Sequence, residues 1–491
     1  MSQLQGAIAA TRFGMGARPG EIEAASSDPR GWLKAQIKSD AALVPADGLM
    51  SVKQVFEARR DAYGGMPPPG APGAPGAQNG QGVRTEAQQK IQQQVQRESR
   101  EGLLKEIDAR GKHAAATTTS FAERWTRFWS NHFTVAARNA QLIGLVGPFE
   151  REAIRPHVFG SFAELLGAST FHPAMLTYLD ANRSIGPSTQ AAKRRDAGLN
   201  ENLAREILEL HTMGVGSGYT QADIIEFAKA LTGWTIGNPQ VARLAGAGGD
   251  GNGRARALQQ VGGLAQEMQQ ALGETVFMEP LHEPGARSVL GKKYGGAAKT
   301  QAAAILDDLV MNPATAHHVA TKLVRHFAAD EPPAAAVKKI ETAWMKSGAN
   351  LATLARAVVD LDEAWVEAPQ KFKTPEELLV SVARASGSET AFGRDQRQVY
   401  QSLAQQPFSA PSPAGWPDDT ASWSGSDAIK KRLEWANAVS RRMVRGSSPT
   451  EFLDKALGPI AGAKTRQAVA RAESAEQGFT LALMSPEFQR R

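Results

Sequence analysis

Residues 199–234 read LNENLAREILELHTMGVGSGYTQADIIEFAKALTGW. With about 100° of turn per residue, Leu203, Ala204, Ile207, Leu208 and Leu210 fall on one arc of a helix and Glu201, Asn202, Arg205, Glu206 and Glu209 on the other. That split predicts an amphipathic helix. Asn200 is placed to accept from an unpaired amide of its first turn, and Glu201 suits the positive end of the dipole. Gly214, Gly216 and Gly218 supply the backbone freedom to stop and reverse. Thr220 followed by Asp223 predicts a capping box for a second helix that runs to about Leu231 and stops at Gly233.

Helical spacing also dominates near 30–39, 52–62, 118–136, 139–155, 161–182, 297–360, 374–404 and 425–485, with a polar, Gln-rich helix over about 84–112. Asn312-Pro313, Thr374-Pro375 and Ser485-Pro486 read as helix starts. Strand alternation is scarce; one short hairpin is read near 235–241 and 276–277. The fold class expected is mainly α: a single large helical domain over 1–491 with at most a minor β-hairpin. It carries flexible Pro/Gly-rich insertions at about 64–82 and 244–263, and a Pro-rich segment at about 405–425 laid over the body.

Composition is that of an ordinary globular chain: 491 residues, 42% hydrophobic and 22% charged. The net charge of +6, from 56 basic and 50 acidic residues, is small for this length and lacks a basic arm, so no nucleic-acid partner is expected. There are no cysteines, which excludes disulfides, thiolate nucleophiles and cysteine-bound metal. No run of eighteen apolar residues occurs, so no membrane span is expected. The first twenty residues show neither a secretory signal nor a twin-arginine pair, which by itself makes the cytoplasm the default.

Four places carry candidate chemistry. His211 lies on the apolar arc, roughly 140° from Glu206 on an α wheel. Alone it reads as a buried, hydrogen-bonded histidine, and Arg205 reads as the centre of an ion-pair face with Glu201 and Glu209. In RWTRFWSNHF, Trp125, Phe128, Trp129 and His132 form one stripe. It is either an aromatic core wedge or a sugar-stacking wall to which Asn131 and His132 add hydrogen bonds. His282-Glu283 sits in a loop, where packing explains a polar side chain less easily. His318, Lys322 and Arg325, with His326 nearby, line a helix after Asn312-Pro313 that is either solvated or suited to a phosphate, sulfate or uronate.

If these segments converge, Glu206, His211 and His282 are the catalytic candidates, and Trp129, Asn131, His132 and Arg205 the substrate-binding ones. His132, His211 and His282 are then a cysteine-free ligand set for a divalent metal. Without metal, Glu206 and a neutral histidine are an acid and base for a glycan. The serine-nucleophile elbow, phosphate-binding loop, dinucleotide fingerprint and paired-histidine zinc helix are absent. That absence supports the competing expectation of a non-catalytic binding or assembly protein.

The run 200–234, together with RFGMGARPGE near the start, RWTRFWSNHFTV, HPAMLTYLDANRS, LHEPGARSVLGKKY, PATAHHVATKLVRHF, FKTPEELLVSVAR and QQPFSAPSPAGWPDDTASW, resembles the bacterial family called domain of unknown function 1800 over nearly the whole chain. Gly216-Ser217 stands where many members have Asp-Gly, which removes a carboxylate from the loop, and Leu203 stands where a tyrosine is common. The resemblance implies an exported or envelope-associated protein, periplasmic rather than cytoplasmic. It also implies a protein of family 1501 of unknown function as partner, and no established reaction.

Overall fold

The computed structural model describes residues 2–62, 86–193, 198–238, 264–388, 392 and 396–491. The insertions read at 64–82 and 244–263 lie outside these residues. The structure is 65% helical, with two antiparallel sheets of two strands each, and so is mainly α. One hydrophobic core is continuous from Ile8 to Phe488 and draws on helices from every part of the described chain.

Within the segment that fixes the fold, Asn202–Glu206 is α-helical and Ile207–His211 continues it as a wider π turn. Leu203, Ala204, Ile207 and Leu208 are buried as the apolar arc requires, and Asn200 Oδ1 accepts from the Asn202 amide at 2.8 Å. The π turn corrects the wheel. Its bonds span five residues, so the α-helical angle between Glu206 and His211 does not apply. Gly214 takes φ 90°, and a Cβ there would lie 2.8 Å from His318 Nδ1, so both backbone and packing require glycine. Thr220 and Asp223 form the capping box of the helix Gln221–Leu231.

Proline-marked starts behave alike: Asn312, Thr374 and Ser485 each cap a helix whose first residue is proline. The Gln-rich helix runs Glu86–Ala116. Strand β1 (Trp234–Ile236) pairs with β2 (Thr275–Phe277), with Thr235 opposite Val276, where a hairpin is expected. A second hairpin was not anticipated. Strands β3 (Arg287–Val289) and β4 (Lys292–Tyr294) meet through Leu290 and Gly291, both at positive φ, and Asp223 Oδ1 accepts from the Leu290 amide at 2.6 Å. Three-residue strands show too little alternation to be read from sequence.

The helix Ser120–His132 runs through the core. Of its thirteen residues ten are buried, including Glu123, Arg124 and His132, so it has no solvated face. Residues 371–373 pair in antiparallel fashion with 489–491: Lys371 N donates to Arg491 O at 3.1 Å and Arg491 N to Lys371 O at 2.8 Å. That pairing brings Lys371 and Arg491 behind the helix Pro313–Phe327, where Arg491 Nη1 donates to His326 O at 2.6 Å.

Candidate functional site

A cavity of about 460 Å³ lies where the helices Ser120–His132 and Pro313–Phe327, the start of the helix Pro375–Ser386 and the segment 405–419 meet. Residues 405–419 of the Pro-rich segment form one wall. Asn131 fastens it: Asn131 Nδ2 donates to Trp416 O at 2.9 Å and Asn131 Oδ1 accepts from Trp416 N at 2.7 Å. Gly415 makes the approach feasible, because a Cβ there would sit 2.5 Å from Asn131 O at a φ of 85°.

Charged groups crowd this cavity. Behind it, Arg155 donates to Glu123 at 2.8 Å and to Glu150 at 2.7 Å, and Arg110 to Glu150 at 2.9 Å. Glu376 pairs with Arg110 and Arg127, while Glu377 pairs with Arg124 and with Arg491. Burial alone would push Glu150 up, but Arg110 and Arg155 outweigh it and hold the carboxyl down at about 2. Sequence reasoning missed this network. Its trace is Glu123 and Arg127 at i, i+4 on a helix that also carries Phe121, Trp125, Phe128 and Trp129, which reads as a surface pair until the helix proves buried.

One pair stands apart. His326 Nδ1 lies 2.7 Å from Asp418 Oδ2, and Lys371 Nζ donates to Asp418 O at 2.7 Å. Burial pushes Asp418 up, but His326, Lys371 and Arg491 outweigh it and keep it well below the carboxylate range. Burial depresses His326 against the pull of Asp418, which leaves the ring neutral at neutral pH. A neutral imidazole that donates from Nδ1 has its lone pair on Nε2. His326 Nε2 is buried, has no hydrogen-bond partner among the described residues, and belongs to a residue of the cavity wall.

The expected site residues divide among separate places. His132 and His211 come together, their ring centroids 6.2 Å apart, and His132 Nε2 donates to His211 O at 3.0 Å. His318 joins them, 6.4 Å from His132. Of the expected residues, Asn131 and His132 border the cavity. His282 packs elsewhere, with Nδ1 2.8 Å from Thr232 O and the ring 5.4 Å from Phe277. Glu206 is half-buried within the fields of Glu209, Arg205 and Arg138, and Arg205 is held by Glu201, Glu209 and Gln221. Trp129 is fully buried among Trp125, Phe128, His132 and Phe162 and presents no face to a sugar. Among the described residues, no three His, Asp or Glu side chains stand where they could share a metal ion.

These features define a mainly helical protein with a charged, partly enclosed cavity beside an imidazole–carboxylate pair. Residues 8–490 match the family model described as "Protein of unknown function (DUF1800)", and the chain belongs to that family. No curated protein and no solved structure matched it.

Among the described residues, no helix is long and apolar enough to cross a membrane.

Proposed function

We propose that the cavity binds a polar substrate and that His326 acts in it as a general base, oriented by Asp418. The observation that carries this reading is the unpartnered Nε2 of His326 at the cavity wall, opposite an Nδ1 tied to a carboxylate. A neutral imidazole held in one tautomer takes a proton at Nε2, and the anionic Asp418 stabilises the imidazolium that results. No serine or threonine hydroxyl is hydrogen-bonded to His326 among the described residues. The nucleophile in this reading is therefore water: His326 takes its proton as the oxygen attacks, and the leaving group receives that proton in turn. This keeps the expected hydrolase-like chemistry but moves it from Glu206, His211 and His282 to His326 and Asp418.

The substrate class we assign is a glycan or its acyl ester. Trp416, half-buried on the cavity wall, supplies the aromatic face that Trp129 does not. The test is turnover of a panel of neutral and anionic oligosaccharides and their esters by wild type and His326→Gln, whose amide can keep the bond to Asp418. Wild type is expected to form product, and the variant to lose about 10²–10⁴-fold in kcat with binding retained. Binding without turnover by wild type would leave a binding protein and remove the base.

A further inference from the structure

Of the seven carboxylates that line the cavity, five are paired with cations. Glu150 is held by Arg110 and Arg155, Glu376 by Arg110 and Arg127, and Glu377 by Arg124 and Arg491. Asp330 is held by Lys371, and Asp418 by His326 and Lys371. Asp419 caps a short helix by accepting from the Ser422 amide at 2.8 Å. Neither Asp419 nor the exposed Glu331 has a cation partner among the described residues.

The cations are not all matched in return. Lys322 lines the cavity on the helix that carries His326, one turn before it, and makes no hydrogen bond or ion pair among the described residues. Arg325 spends Nε on the Asp330 carbonyl at 3.1 Å and has no carboxylate partner among the described residues. Burial, against the pull of Asp418, takes Lys322 down to about 8, so the ammonium stays charged at neutral pH without a fixed partner.

We infer that Lys322 forms an oxyanion subsite beside His326, which holds a carboxylate or sulfate carried by the substrate. This rests on the reading of the cavity as a substrate site and adds the substrate's charge. A lysine is a compact point charge with three donors, which suits one small oxyanion better than a planar bidentate fork would.

Placement of the subsite next to the base has a chemical consequence. A carboxylate or sulfate bound there fixes the sugar ring one helical turn from His326 Nε2, so the charge selects the ring position at which the proton is taken. A neutral sugar enters the same cavity without that registration.

The test is titration of wild type, Lys322→Met and His326→Gln with a galacturonate trisaccharide, a sulfated galactose trisaccharide and the neutral galactose trisaccharide, followed by tryptophan fluorescence at low salt. Wild type is expected to bind an anionic trisaccharide at least about tenfold more tightly than the neutral one, a difference that falls as salt is added. Lys322→Met is expected to lose most of that preference and keep wild-type affinity for the neutral sugar. His326→Gln is expected to keep the preference. The stronger of the two anionic ligands tells carboxylate from sulfate. Equal affinity for charged and neutral sugars, or a preference that survives Lys322→Met, overturns the subsite and leaves the His326 base standing. Failure of all three sugars to bind wild type overturns both. A melting curve for Lys322→Met separates lost binding from lost folding.

Discussion

Arg155→Met is expected to destabilise the protein by roughly 3–5 kcal/mol, read as a fall in the urea midpoint. Arg155 is 1% exposed and donates to Glu123, to Glu150 and to Ala42 O at 2.8 Å. Methionine fills much of the same volume, so the loss is electrical. Two buried carboxylates lose their shared cation, Glu123 keeps Arg127, and Glu150 keeps Arg110. Removal of one partner from a buried cluster leaves uncompensated charge, which costs far more than a surface pair returns. The exposed pair Arg441–Glu476 is the control, and Glu476→Gln is expected to stay within about 0.5 kcal/mol. A change in Arg155→Met no larger than that control would mean that the network carries little of the fold's stability.

Acid is expected to act just as strongly, and over a range set by histidine. Burial and Lys322 take His211 down to about 3 and His318 to about 4, and burial with Lys322 and the other two rings takes His132 well below its ordinary value. The unfolded chain binds protons at these rings below about pH 6.5, whereas the folded one does not. Stability from this cluster is therefore full above about pH 6.5 and is lost as pH falls toward about 4. The slope is up to about 1.4 kcal/mol per pH unit for each ring. Three rings give a limiting slope near 4 kcal/mol per unit. His113 and His326, also depressed by burial, add to it; Glu106 and Glu206, which burial pushes up, oppose it at the lower end. Urea midpoints at pH 7, 6 and 5 measure the slope, and His318→Gln is expected to reduce it by about one proton. A flat profile from pH 7 to 5 would contradict neutral burial of the cluster.

Much of the fold was legible because its signals are local. Thr220 and Asp223 cap a helix wherever it packs, Asn312-Pro313 starts one by fixed dihedrals, and the glycines at 214, 216 and 218 turn because their φ values are positive. The π turn at 207–211 was not legible. A π turn carries no residue pattern that separates it from an α turn.

The site was less legible for the same reason. His318, Lys322, Arg325 and His326 stand out on one helix, yet Lys322, Arg325 and His326 face a cavity walled by residues 405–419 and His318 packs against Leu210 and Gly214, and such coverage is a long-range fact. Asp418 and Arg124 carry no local pattern that sets them apart. Only the pairing of Asp418 with a residue 92 positions away gives it a role. Of the histidines whose convergence the sequence suggests, His132 and His211 lie with ring centroids 6.2 Å apart, while His282 packs elsewhere, against Thr232 and Phe277.

The account depends most on the state of a single ring. Heteronuclear NMR of the histidine side chains, with His326→Gln to assign the signal, reports which nitrogen of His326 bears the proton at pH 7. The account predicts a neutral ring protonated at Nδ1, bonded to Asp418, with Nε2 free, and a midpoint below the ordinary value near 6.5. A ring protonated at Nε2, or one already charged at pH 7, would contradict it.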